Sequence, residues 1–157
     1  MKRLLIGSPR AMRALAVRIG RTVHRSRRAR KRATVIALEG ELGVGKTLFA
    51  KAFAAVFHVK HRMPSPTFLI ARSYPIPAFR ARVPYRRLFH VDLYRISSAR
   101  ELTAIGWNRI VENPEHLVLI EWADRLPRLI SRNAIWVRIR HGRKRNERSV
   151  ATRTPWW

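Results

Sequence analysis

Ala33-Thr-Val-Ile-Ala-Leu-Glu-Gly-Glu-Leu-Gly-Val-Gly-Lys-Thr47 is the stretch that decides the fold. Ala33–Leu38 is a short apolar, β-branched run, the pattern of a strand buried in a parallel sheet. Gly40–Thr47 then matches Gly-x-x-x-x-Gly-Lys-Thr in full. Glycines at these places let backbone N–H groups turn inward around phosphate oxygens. From Thr47 to Phe57, Leu48, Phe49, Ala52, Phe53 and Val56 recur at helical spacing. A helix beginning there aims its partial positive charge at the loop. Strand, loop and helix stand in the order that a phosphate-binding loop requires, which argues against a chance glycine-rich turn.

The expected ligands are therefore ATP and Mg2+. Glu41, Leu42, Gly43, Val44, Gly45, Lys46, Thr47 and Leu48 form the wrap around the phosphates. Lys46 reaches the β- and γ-phosphates, and the Thr47 hydroxyl ligates the metal.

Upstream of the loop, Lys2–Ile6 is a candidate short strand. Ser8 and Pro9 are suited to the N-cap and first turn of a helix. Met12, Leu15, Ala16, Ile19 and Val23 follow at three- and four-residue spacing, with Arg10, Arg13, Arg18, Arg21 and Arg25 mostly on other faces. Ser26–Arg32 is a basic run with no apolar anchor and reads as a solvated loop. Residues 1–32 contain no acid and many Arg, which is also the composition of an organelle transit peptide.

Downstream, Thr67–Tyr74 and Tyr85–Leu93 read as strands of a long hairpin around a linker rich in Pro and Arg. Ala99–Ile105 reads as a short helix and Leu117–Glu121 as a second buried strand. Ala134–Arg140 alternates apolar and basic residues, as a half-exposed edge strand does. Residues 141–157 read as a basic, frayed tail. Alternating strands and helices in 157 residues predict one α/β domain. The fold class is a three-layer P-loop NTPase with a mainly parallel sheet and an inserted β-hairpin.

The chain carries 34 Lys and Arg against nine Asp and Glu, a formal net charge of +25. Two explanations stand side by side: a polyanionic partner such as nucleic acid, or a GC-rich base composition favouring Arg codons. With no cysteine, disulfides and thiolate metal sites are excluded. No apolar run approaches the roughly 20 residues that span a bilayer, so no membrane partner is expected.

A P-loop enzyme needs an acid at the end of a neighbouring strand. Leu88-Phe89-His90-Val91-Asp92 and Leu117-Val118-Leu119-Ile120-Glu121 each end in one. Ordinary strand-end acids are the alternative, with Arg95 as a simple partner for Asp92. Ser65-Pro66-Thr67 is open to two readings: a proline turn, or a switch that brings the Thr67 hydroxyl to the metal. Trp122 either packs in the core or stacks on a base. The six histidines show no ligand spacing, so no His–metal site is assigned.

In order, Gly-Glu-Leu-Gly-Val-Gly-Lys-Thr, Ser-Pro-Thr-Phe, His-Val-Asp-Leu-Tyr-Arg and Leu-Ile-Glu-Trp resemble the TsaE family across about residues 8 to 140. His-x-Asp-Leu-Tyr-Arg followed by Glu-Trp is the specific part. The resemblance implies an ATPase subunit of the bacterial machinery that makes threonylcarbamoyladenosine at position 37 of tRNA, cytoplasmic, acting with TsaB and TsaD. It implies Mg-dependent hydrolysis, weak in isolation, with Lys46, Asp92 and Glu121 as catalytic residues. Thr47, Asp92 and Glu121 become the magnesium site, Thr67 part of a switch, and Trp122 a neighbour of the nucleotide. It also favours a folded helix over a transit peptide at Ser8–Gly20. Two departures stand out: Met12, where the family usually has Thr near the base, and the charge. A small P-loop kinase and an RNA-binding protein with a structural P-loop remain the alternatives.

Overall fold

The computed structural model describes residues 2–26, 30–59, 63, 70–77 and 83–153. The chain runs β1 (Lys2–Ile6), α1 (Pro9–Arg25), β2 (Thr34–Glu39), α2 (Lys46–Ala55), β3 (Ala71–Pro75), β4 (Arg87–Asp92), α3 (Ala99–Ala104), α4 (Trp107–Glu112), β5 (His116–Glu121), β6 (Ile135–His141) and β7 (Arg148–Arg153). Two short 3-10 turns, Ala123–Arg125 and Pro127–Leu129, link β5 to β6.

One sheet collects the described strands in the order β1-β7-β6-β2-β5-β4-β3. The centre is parallel, with β2 between β5 and β6 and β4 on the far side of β5. The flanks are antiparallel: β1 on β7, β7 on β6, and β3 on β4. The α/β P-loop architecture expected from sequence is present, and its parallel character belongs to the middle of the sheet. The β3–β4 pairing is the inserted hairpin, which among the described residues pairs Ala71–Pro75 with Arg87–Val91.

Period-two alternation sorts the strand side chains into two cores. Ile36 and Leu38 of β2 join Leu117, Leu119, Val137 and Ile139 against α1 and α2. Val35 and Ala37 join Val118 and Ile120 against Leu102, Trp107 and Ile110 on the opposite face. Helices on both faces make the three layers.

Helix α1 forms as its spacing predicts. The Ser8 hydroxyl accepts the Ala11 N–H at 3.1 Å, and Met12, Leu15, Ala16, Ile19 and Val23 are buried. Full burial of a Leu or Ile side chain contributes about 1.5–3 kcal/mol, so packing rather than helix propensity holds this element in place. Gly20 sits where α1 touches α2: a Cβ there would lie 2.9 Å from Val56 Cγ2.

Two expectations fail here, and one helix is new. The supposed edge strand β6 is interior, between β2 and β7. The region read as a frayed tail contributes β7, which pairs on both sides and buries Val150 and Thr152. Its sequence, Arg-Ser-Val-Ala-Thr-Arg, has one large apolar residue, so the strand exists only because β1 and β6 supply hydrogen-bonding partners. Helix α4 was not foreseen. Gly106, in the left-handed region at φ 72°, breaks the chain out of α3 and starts a six-residue helix too short to show a period. The Ser65-Pro66-Thr67 segment lies outside the described residues.

Candidate functional site

The loop after β2 owes its path to three glycines. Gly40, Gly43 and Gly45 have φ of 150°, 74° and 106°, values that side chains disfavour. At Gly40 the requirement is also steric, because a Cβ would stand 2.2 Å from the carbonyl oxygen of Ile139 on β6. Gly45 caps α2 with no side-chain hydrogen bond, so no side chain competes for the first-turn amides. Glu41 and Leu42 project to solvent at the loop tip, Val44 is buried beneath it, and Leu48 is half-buried on α2. This is the geometry that receives phosphate.

Lys46 opens α2 and is only 5% exposed. Its Nζ donates to the carbonyls of Gly40 at 2.6 Å and Glu41 at 2.7 Å. It also lies 3.6 Å from the centre of the Trp122 ring. Burial pulls its pKa below the ordinary lysine value, opposed by the negative charge of Glu121, Asp124, Asp92 and Glu41. The ammonium is thus folded back on its own loop.

One strand-end acid, Glu121, meets this lysine's neighbour Thr47. Strands β4 and β5 pair in a register that sets Asp92 opposite Glu121, and both side chains are buried. Glu121 Oε2 accepts the Thr47 hydroxyl at 2.9 Å. Its Oε1 lies 2.8 Å from His90 Nε2. Asp92 Oδ1 accepts the Tyr94 N–H at 2.8 Å. His90 is fully buried, and its Nδ1 has no hydrogen-bond partner among the described residues. The proton therefore belongs on Nε2, where it is donated to the carboxylate.

Trp122 follows at φ 57°, a left-handed value unusual for tryptophan, and turns the chain sharply into the 3-10 turn. Its half-buried ring lies 4.9 Å from that of Tyr94. The ring is thus neither solely core nor free: it forms a wall over Lys46. A second cleft beside the loop is lined by Ser8, Met12, Gly43, Leu48, Asn146 and Arg148, among others. Met12 is buried there, and Arg148 Nη2 lies 3.5 Å from the Gly43 carbonyl.

Lys46, Thr47, Asp92, Glu121 and Trp122 thus lie together at the carboxyl ends of β2, β4 and β5. No group of three or more His, Cys, Asp or Glu side chains able to hold a metal assembles among the described residues. Two carboxylates and a hydroxyl are present, the hard oxygen donors that suit magnesium shared with phosphates and water. Sequence reasoning missed His90, Asn146 and Arg148. For His90 a signal existed: it sits two residues before Asp92, hence on the same face of β4.

The TsaE family model, described as threonylcarbamoyl adenosine biosynthesis protein TsaE, matches residues 6–150. A protein of Rickettsia prowazekii (strain Madrid E) named tRNA threonylcarbamoyladenosine biosynthesis protein TsaE is 31% identical over 107 residues, 68% of each chain. Proteins of the same name from Nostoc sp. and Mycobacterium bovis are 35% identical over 97 residues and 34% over 112. These matches cover 60% and 67% of this chain, and 55% and 62% of theirs. The crystal structure of Bacillus subtilus YdiB shares the fold, with a TM-score of 0.63 at 23% identity, over 95% of this chain and 82% of the other. With its loop, its paired strand-end acids and a match over nearly its whole length, this chain belongs to the TsaE family.

Proposed function

We propose that this chain binds ATP with Mg2+ at Gly40–Thr47 and hydrolyses it as the ATPase subunit required for threonylcarbamoylation of adenosine 37 in tRNA. It acts with TsaB and TsaD in the cytoplasm. The observation that carries this reading is the Thr47–Glu121–His90 chain of contacts beside Lys46. It joins the loop to the strand-end acid that a P-loop hydrolase requires.

Glu41–Leu48 wraps the phosphates, and the α2 amides stabilise the charge that builds there. Lys46 leaves its two carbonyls and pairs with the β- and γ-phosphate oxygens. Thr47, Asp92 and Glu121 would be the protein groups that hold the metal, through one hydroxyl and two carboxylates. The metal, when bound, offsets negative charge on the transferring phosphoryl group. Glu121, held from behind by His90, orients the attacking water and accepts its hydrogen bond. Trp122 would border the nucleotide.

The test is ATP turnover with and without TsaB, TsaD and tRNA, repeated with Lys46→Ala. Turnover that rises with the partners and vanishes in the variant is expected. Turnover indifferent to the partners would sink this assignment, and phosphate transfer to a small acceptor would replace it with a kinase.

A further inference from the structure

The outer face of α1 is an arginine track. Arg10, Arg13, Arg18, Arg21 and Arg25 are all exposed, opposite the buried face of Met12, Leu15, Ile19 and Val23. At 3.6 residues per turn they fall within about 140° of arc, along about 22 Å of axis. All five cations are Arg and none is Lys.

No described residue neutralises them. There is no Asp or Glu in α1, in α2, or in β1, β6 and β7 on its side of the sheet, and the first acid of the chain is Glu39. None of the five forms an ion pair among the described residues. Intramolecular electrostatics oppose the arrangement. Arg10 and Arg13, Arg18 and Arg21, and Arg21 and Arg25 are like-charge neighbours at helical spacing. Arg10 also sits in a first turn that has no acid, where the helix dipole disfavours a cation. The stripe weakens the helix that bears it and finds no ion-pair compensation among the described residues.

We propose that this face of α1 binds the phosphate backbone of RNA. Five guanidinium groups on a rigid helix suit a run of phosphates, each taken bidentately. A lipid surface suits it less, because the apolar side of α1 is consumed in the core and has nothing to insert. The proposal stands on charge geometry and does not depend on the ATPase reading.

The experiment measures affinity for an unmodified tRNA transcript between about 50 and 200 mM salt. It compares the wild type, a variant with Arg10, Arg13, Arg18, Arg21 and Arg25 all changed to Gln, and a control with Arg3, Arg128, Arg132, Arg140 and Arg153 changed to Gln. Both variants lose five charges from exposed positions. The α1 variant is expected to bind at least tenfold more weakly, with a log–log salt slope shallower by about 3 to 4. The control should change less than threefold. Equal losses in the two variants would reduce the effect to overall charge and overturn the proposal. So would unchanged RNA affinity in the α1 variant, including the case where it loses binding to phosphatidylserine vesicles instead. Basal ATP turnover, measured without tRNA or partner proteins, should match wild type, which separates failure here from failure of the nucleotide assignment.

Discussion

Replacing His90 with Leu probes a contact at the site that sequence reasoning did not foresee. The imidazole is fully buried and its Nε2 lies 2.8 Å from Glu121 Oε1, on a carboxylate that is itself 2% exposed. A hydrogen bond to a charged group contributes about 1.5–3 kcal/mol. Leucine removes the donor and leaves the carboxylate oxygen buried without one, which pushes the loss towards the upper end. Removing the unpartnered Nδ1 returns part of it. The net is about 2 kcal/mol, or a fall in Tm of about 4–8 °C for a chain of this size. Glu121 would also lose its fixed orientation towards Thr47, so ATP turnover should drop by about tenfold, equivalent to about 1.4 kcal/mol of barrier. His90→Gln, which keeps an N–H donor, should recover part of both losses. The assay is thermal denaturation with turnover, carried through a double-mutant cycle with Glu121→Leu. A coupling energy of about 1–3 kcal/mol is expected for groups in contact. If His90→Leu costs the same with and without Glu121, the two side chains are not coupled and the reasoning fails.

Three further outcomes follow from the same geometry. Gly40→Ala forces a Cβ into the Ile139 carbonyl at φ 150°, at a cost of at least about 2 kcal/mol; nucleotide titration should show weakened binding alongside a lower Tm. Tyr85 is fully buried and its hydroxyl lies 2.8 Å from Thr34 Oγ1. Chemical denaturation should therefore show Tyr85→Phe and Thr34→Val each costing about 1–3 kcal/mol, while the double variant, which removes both partners, costs less than their sum. Lys46 has a folded-state pKa below its ordinary 10.5, so the unfolded chain binds more protons in that window. Its contribution to stability rises with pH up to about 10.5. Burial raises the pKa of Tyr74 and Tyr85, so their contribution falls above about 10. Comparing Tm for wild type and Lys46→Met from about pH 8 to 10 isolates the lysine; a difference that does not move in favour of the wild type counts against its burial.

The parts legible in the sequence are those whose physics is local. Gly40, Gly43 and Gly45 announce a loop that other residues resist, and the apolar period of α1 and α2 announces which faces they bury. The ends of β4 and β5 announce Asp92 and Glu121, because an acid closing an apolar strand is conspicuous in a chain with nine acids. Strand β7 and the interior place of β6 were not legible. A strand with one large apolar residue is defined by hydrogen bonds to partners far away in sequence, and no local pattern encodes those.

Within the site the division is the same. The sequence alone determined that a phosphate loop, two strand-end acids and a tryptophan exist. Only the tertiary structure decided that Glu121 is shared between Thr47, 74 residues away, and His90, 31 residues away. It also decided that Lys46 rests against Trp122. Those contacts depend on the parallel register that sets Asp92 against Glu121 and on α2 crossing the same face of the sheet. Register and layer packing come from burying the whole core at once, which no short segment specifies.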